Sequence, residues 1–358
     1  MAEFIDWPVA GVDYPSRLAE LRSWFVTDAD CLDYLDWLRW PDGFTCPHCG
    51  GKRGPRGRDG LRRCRACDRR VSVTSGTIFQ DTRTPLTVWF EAVWLMTVPK
   101  NGVSALNLSR VLPIGSYQTA WAMLAKLRSA MSVVDKARLS GTVEVDEWFH
   151  GGVAVGGNAF TGKDLVVAAV EHSHRGRGFG RVRFGVVPDR SAYRLRGFVR
   201  AVVEPGSSII TDGLVSYQAA LAGYRHEARN ESAPGVGGTH TLLPGVHRVF
   251  SLADRWLLGT HQGGVQPEHL QEYLDEFAFR WNRRNTRDRG MVFYRLLQHA
   301  VAAAPVTYQD LARVGAAKPV QPSPPKERGK PGTLQADNSH RPWRHNQTPN
   351  TNTQNLRQ

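Results

Sequence analysis

Apolar residues recur at helical spacing in two tracts ahead of residue 135, and the spacing then shortens to that of strands. Residues 1–40 read as helical, with Cys31, Leu32, Tyr34, Leu35, Leu38 and Trp40 forming one stripe. Between Pro85 and Met131 three helices follow one another. Leu86, Trp89, Phe90, Val93 and Trp94 mark the first, with Pro85 near its opening turn. Ser104 to Leu112 forms the second, stopped by Pro113-Ile114-Gly115. Ser116 caps the third, which turns Ala120, Leu124, Leu127 and Met131 inward and leaves Lys126 and Arg128 off the stripe. From Thr142 onward Val143 and Val145 alternate with Glu144 and Asp146, a strand with one apolar face, until Gly151-Gly152 supply a turn. Asp164 to His172 and Phe184 to Val187 continue as strands, and Ser191 to Val203 as an amphipathic helix carrying Leu195, Phe198, Val199 and Val202. A short apolar run, Ser208-Ile209-Ile210-Thr211, then ends at Asp212-Gly213. The stretch from Gly223 to Thr239 predicts one short strand near Tyr224 to Ala228 and then a mobile loop. Val246 to Leu258 is helical, with His247 and Asp254 seven apart on one face. Pro267 opens another helix, with Leu270, Tyr273, Leu274, Phe277 and Trp281 inward and Arg280, Arg283, Arg284 and Arg287 toward its end, and Met291 to Ala302 is the last. After residue 316 almost no apolar content remains, which predicts a disordered basic tail. No internal repeat is present.

Between the helical tracts stands the strongest chemical signal: Cys46-Pro47-His48-Cys49, fourteen residues, then Cys64-Arg65-Ala66-Cys67. Two C-x2-C knuckles at this separation place four thiolates around one structural zinc. The intervening residues 50–63 are glycines, arginines and other polar groups that cannot build an apolar core, so the metal supplies the folding energy. His48 is a competing ligand in principle, but four cysteines need no fifth member. Cys31 has no cysteine near it and reads as a small packed hydrophobe.

Charge then narrows the partner. The 46 Lys and Arg against 33 Asp and Glu give a formal net charge of +13, which suits a polyanion: nucleic acid first, an anionic membrane surface second. Lys52, Arg53, Arg56, Arg58, Arg62, Arg63, Arg65, Arg69 and Arg70 crowd the cysteine region against only Asp59 and Asp68, a compact patch for phosphate contacts or a solvated face. Helix, Gly-containing turn, helix between Ser104 and Met131 is compatible with a helix-turn-helix and equally with structural filler. No run reaches the roughly 18 apolar residues of a spanning helix, and the N-terminus lacks a signal pattern, so a soluble, intracellular protein is expected.

Asp146 sits within a strand, where a lone carboxylate is expensive without a metal or a donor, and Asp212 repeats the design at a strand end. Three antiparallel strands, a helix and a fourth strand describe the ribonuclease-H-like order, in which the first and fourth strands are neighbours. That adjacency would bring Asp146 and Asp212 together, although ordinary strand-end aspartates are the plainer explanation of either one alone.

These residues resemble the zinc-ribbon DDE transposases of bacterial insertion sequences, in particular the ISXO-like group, over most of residues 20–300. The likeness is carried by Arg39-Trp40-Pro41-Asp42-Gly43 before the first knuckle, Thr74-Ser75-Gly76-Thr77-Ile78-Phe79 after the second, and Val143-Glu144-Val145-Asp146-Glu147. Ile210-Thr211-Asp212-Gly213, Trp256-Leu257-Leu258-Gly259-Thr260-His261 and Tyr273-Leu274-Asp275-Glu276-Phe277 through Asn282-Arg283-Arg284 complete the series. The resemblance implies five parts: an N-terminal helical segment (1–40), a zinc ribbon (41–80), a helix-turn-helix-like DNA-binding region (81–135), a ribonuclease-H-like α/β catalytic domain (140–315) and the tail (316–358). It implies an enzyme that binds the terminal inverted repeats, cuts there and joins the freed 3′ hydroxyls to target DNA, acting as a dimer or higher oligomer near the nucleoid. Asp146 and Asp212 would hold two magnesium or manganese ions, with Asp146 bridging. The third position departs from the family, which places Glu or Asn there. Counting back from Gly259, that position falls on His247, with Asp254 the alternative and a missing ligand in a damaged enzyme the third possibility. An imidazole ligand favours manganese over magnesium and predicts activity falling below about pH 6.5.

Two other classes compete. A DNA-binding regulator needs the ribbon, the helices and the charge but neither aspartate, and a degenerate transposase binds ends without cutting. A ribonuclease or resolvase on the same core would not need the N-terminal modules.

Overall fold

The computed structural model describes residues 7–57, 59–132, 137–151, 162–173, 178–229, 242–262 and 264–314. The expected tail, the loop ending at Thr239, Arg58 and the Gly152 half of the turn lie outside these residues.

The chain begins with α1 (Leu18–Trp24) and α2 (Asp28–Arg39). Thr27 and Asp30 form a reciprocal capping box at the start of α2, worth about 1 kcal/mol, and Cys31, Tyr34, Leu35 and Leu38 are buried as their spacing predicts. Residues 7–17 are not helical. Val9 N–H donates to Asp13 and the chain turns there, because Pro8 and Pro15 bracket a segment too short to propagate a helix. A two-stranded antiparallel sheet follows, β1 (Arg62–Arg63) with β2 (Arg70–Val71). The three expected helices are α3 (Leu86–Thr97), α4 (Ala105–Val111) and α5 (Tyr117–Ser132), the last two capped by Ser104 and Ser116 hydroxyls that accept from Asn107 and Thr119 N–H.

A five-stranded sheet then forms from β3 (Thr142–His150), β4 (Asp164–His172), β5 (Phe179–Val187), β6 (Ser208–Thr211) and β7 (Arg225–Ala228), with α6 (Ala192–Val202) between β5 and β6 and α7 (Val215–Ala220) between β6 and β7. The order is β5-β4-β3-β6-β7, with β3–β4 and β4–β5 antiparallel and β3–β6 and β6–β7 parallel. The first and fourth strands of the domain are therefore neighbours. α8 (Pro244–His261) and α9 (Leu270–Asn282) cover one face with Val166, Ala168, Val170 and Ile210. α6 and α7 cover the other with Val143, Val145, Val167, Ala169 and Ile209. β3 is thus enclosed on both faces rather than one, as a strand with a parallel neighbour usually is.

α10 (Gly290–Ala302) leaves this domain and packs Phe293, Tyr294 and Leu297 into the N-terminal helical core beside Tyr34, Phe90 and Trp94. It is not the last helix, since α11 (Tyr308–Val314) follows, opened by Thr307, whose side chain accepts from Asp310 N–H. Arg128 also departs from expectation. It is buried, with its guanidinium 3.8 Å from the Tyr273 ring centre and its Nε donating to Glu276 at 2.8 Å. Arg280 approaches the same carboxylate at 3.7 Å and donates to the carbonyls of Pro99 and Lys100. Gly102 must be glycine here, since a Cβ would meet the Arg280 guanidinium at 2.7 Å and its φ is +66°. One carboxylate on α9 thus ties the N-terminal helices to the sheet domain.

Removing one member of a buried ion pair strands the other, so Glu276→Gln is expected to lower unfolding free energy by about 3–5 kcal/mol in urea titration. An unchanged midpoint would show that this cluster holds nothing together. Glu171 on β4 supplies a pH test. Burial alone would raise its carboxyl, but hydrogen bonds from Arg181 and the Ser140 N–H outweigh burial and hold it down to about 2. Its contribution is therefore complete above the ordinary carboxylate range and lost as pH falls from about 4.5 toward 2. Glu171→Gln should flatten the melting temperature across that window, relative to the parent.

Candidate functional site: a thiolate cluster and an acidic strand end

The four knuckle cysteines converge. Their sulfurs lie within 4.8 Å of one another, with Cys46–Cys67 at 3.8 Å and Cys49–Cys64 at 3.6 Å. Tetrahedral zinc with about 2.3 Å bonds requires sulfurs about 3.8 Å apart, so the cluster fits the metal. Backbone N–H groups of Cys67 and Ala66 draw the Cys64 thiol down to about 7, toward the thiolate that zinc binds. His48 is not part of the cluster; its Nδ1 pairs with Arg69 at 3.1 Å.

The ribbon's positive charge is smaller than its composition suggests. Asp36 and Asp33 of α2 hold Arg62 and Arg56, while Asp68 and Asp59 hold Arg63 and Arg70. The acids that sequence reasoning missed lie in the preceding helix, 26 and 23 residues away. Among the described residues Lys52, Arg53, Arg65 and Arg69 are left without a carboxylate partner.

The second site forms where the pairing of β3 with β6 ends, midway along β3. Their last registered pair is Glu144 with Ile210, so Asp146 and Asp212 each stand two residues further along parallel strands. Alternation puts Asp146 on the face covered by α8, while Asp212 follows the last residue of β6. Asp146 is 6% exposed and accepts from the Glu147 N–H at 2.8 Å. Asp212 accepts from the Leu214 N–H at 2.9 Å in the turn made by Gly213. Their fields meet at Tyr217, a buried phenol on α7 whose pKa is driven up first by burial and then by Glu147, Asp146 and Asp212. Tyr217 donates to Glu147 at 2.7 Å, and burial holds the Glu147 carboxyl above its ordinary range.

α8 brings His247 to this end, with Nε2 3.6 Å from Asp146 Oδ2. Asp254 stands further along, 3.1 Å from Nδ1 of His150, the last residue of β3. Seven helical residues rise about 10 Å. Four strand residues span about 13 Å, so helix and strand run side by side with His247 over Asp146 and Asp254 over His150. Of the two alternatives for the third position, His247 is the one beside Asp146. Asp146, Asp212 and His247 do not close into a ligand set as the cysteines do: among the described residues only the cysteines gather three or more donors within 4.8 Å. Glu144, which sequence reading treated only as a strand position, is fully buried on the same face. It accepts from His172 at 2.8 Å and from the Val246 N–H at 2.9 Å.

Residues 26–70 match the family model of the transposase zinc-ribbon domain, and residues 138–282 match that of the ISXO2-like transposase domain. Together the two matches span more than half of the chain. The chain belongs to the zinc-ribbon, ISXO2-like transposases. It is also 26% identical over 282 residues to an uncharacterized protein in transposable element ISH50 of Halobacterium salinarum, covering 72% of this chain and 91% of that one. In this family setting the cysteine cluster is the zinc ribbon, and the β3–β6 end falls inside the transposase domain. No described helix is long and apolar enough to cross a membrane.

The ribbon's dependence on metal is directly measurable. The purified chain should carry one zinc, and Cys64→Ser or a strong chelator should remove it and abolish slow amide exchange between residues 44 and 71. The sheet domain's melting transition should persist, because its cores share no residue with the ribbon's. Loss of both transitions together would contradict a separately folded ribbon.

Proposed function

We propose that this chain is the transposase of an insertion sequence, binding double-stranded terminal inverted repeats and catalysing metal-dependent cleavage and strand transfer with Asp146, Asp212 and His247 as ligands. The observation that supports this reading is the parallel β3–β6 register, with Asp146 and Asp212 each two residues beyond its last pair and His247 3.6 Å from Asp146. The strand order is that of a ribonuclease-H-like core, and we read residues 140–315 in that way.

Two hard divalent ions of the magnesium or manganese class, when bound, would activate the attacking oxygen and stabilise the leaving one. The donor set fits them, since Asp146 is a buried carboxylate, a hard oxygen donor, with the His247 ring 3.6 Å away and Asp212 at the end of the neighbouring parallel strand. Asp146 and Asp212 would hold the ions through carboxylate oxygens, and His247 would add a ring nitrogen as a third donor. Cleavage is attack of water on phosphorus, releasing a 3′ hydroxyl. Joining is attack of that hydroxyl on a target phosphodiester, displacing the target's own 3′ oxygen.

For binding, Lys52, Arg53, Arg65 and Arg69 of the ribbon are the cations available to phosphates. The helix-turn-helix-like reading of α4 and α5 narrows to a small surface. α5 is buried from Ala120 onward on most positions, so base contacts would fall to Asn107, Arg110, Tyr117 and Gln118, all exposed. Two element ends must be held together, which requires at least a dimer.

One observation favours a second reading. The open arrangement of Asp146, Asp212 and His247, with imidazole where the family has Glu or Asn, also suits a protein that binds ends without cutting. The two are separated by incubating a duplex bearing the terminal repeats with the parent, Asp146→Ala, Asp212→Ala and His247→Ala, in magnesium and then manganese. Nicking at the repeat end, stronger in manganese and reduced at least about 100-fold in each variant, is expected. Repeats bound but uncut by the parent in either metal would leave the end-binding reading, and full activity in His247→Ala would remove histidine from the site.

A further inference from the structure

We propose that Glu144 is a positioning residue for the Asp146–His247 pair: it caps α8 from across the sheet and so fixes where His247 stands. The proposal rests on the metal-ligand reading of that pair.

α8 opens without any local cap. Its N-cap is Leu243, whose side chain accepts nothing, and no acidic residue lies in its first turn. The first N–H groups of a helix need partners, and Pro244 at the first position removes only one of them. Val246 N–H finds its partner 102 residues back in the chain, at Glu144 Oε2, 2.9 Å away. The same contact satisfies the carboxylate, which is wholly buried and otherwise bonded to His172 at 2.8 Å. Such charge-assisted bonds at a helix's positive end are stronger than neutral ones.

The approach is as close as the backbone allows. A Cβ on Gly245 would stand 2.8 Å from Glu144 Oε2 and 2.6 Å from the Phe179 ring, so with any larger residue the Glu144 carboxylate, the Phe179 ring or the first turn of α8 must shift. His247 directly follows Val246, and Asp146 lies two residues beyond Glu144 on the same strand face. The bond Glu144–Val246 and the approach His247–Asp146 are therefore adjacent rungs between the same strand and the same helix. Tilting or lifting the first turn of α8 moves His247 before it moves anything else in the site.

The test titrates manganese into the full-length, zinc-loaded protein, following free ion by electron paramagnetic resonance and folding by the melting transition. The parent is expected to show a saturable site that Asp146→Ala abolishes. Glu144→Ala and Gly245→Ala should each weaken it about 10- to 100-fold, as loss of an outer partner does, while Glu144→Gln, whose amide oxygen still accepts from Val246, stays close to the parent. If Glu144→Ala fails to fold, Gly245→Ala and Glu144→Gln decide. A lowered melting temperature with manganese affinity unchanged in Gly245→Ala or Glu144→Ala makes Glu144 purely structural and overturns the proposal. A parent with no Asp146-dependent site overturns the metal-ligand reading as well, so the two failures are distinct.

Discussion

The parallel pairing of β3 with β6 is the constraint on which the remaining arrangement depends. A parallel neighbour cannot be reached by a tight turn, so the chain must lay down β4, β5 and α6 before it returns. That detour fills the sheet on one side of β3 and its covering layer on one face. α8 and α9 then close the opposite face, leaving the end of the β3–β6 pair as the place where strand polarity, two covering layers and two carboxylates coincide. Had β6 paired antiparallel, Asp212 would have lain near the start of β3, at the far edge from Asp146.

The N-terminal parts are fastened to the sheet domain by charge as well as by the apolar packing of Phe279 and α10. Asp33 and Asp36 of α2 hold two ribbon arginines, and Arg39 from the same helix donates to the Ser72 and Val73 carbonyls and stacks on Trp40. α2 in turn belongs to the core that contains α3, α5 and α10. From α5, Arg128 reaches Glu276 on α9, which lies against β5. A continuous series of rigid contacts thus runs from the ribbon to the sheet. Exposed pairs in this series contribute little energy individually, but the buried Arg128–Glu276–Arg280 cluster tolerates only one geometry.

Most of this architecture was legible in the chain's periodicity and punctuation. Helical spacing located α2 through α5, the capping serines at 104 and 116 marked true starts, two-residue alternation found β3, and short apolar runs found β4 and β6. The cysteine spacing alone specified the ribbon. What escaped was what depends on distant partners. Arg128 lies off its helix's apolar stripe and reads as a surface charge, because nothing near it in sequence announces Glu276. Glu144 reads as the polar half of an alternating strand, because its partner N–H belongs to a helix a hundred residues on. β5 begins at Phe179 rather than Phe184, since Arg181 and Arg183 break the apolar pattern while their guanidiniums bond Glu171 and the Ala137 carbonyl. α11 is short and bounded by polar residues, and its Asp310–Thr307 contact is a weak signal by itself.

Why His247 and not Asp254 stands beside Asp146 follows from helix register. Both lie on one face of α8, and chemistry alone would prefer the carboxylate as a ligand for a hard ion. But α8 runs alongside β3 with nearly matched rise, so each residue on that face has one partner level on the strand, and Asp254 is carried about 10 Å down the axis to His150. Moving Asp254 to Asp146 would require sliding the helix by two turns and unseating Val249, Phe250, Ala253 and Trp256 from the core. Close-packed side chains do not permit that at any cost a single ligand bond could offset. Packing therefore places the imidazole, rather than the Asp254 carboxylate, beside Asp146.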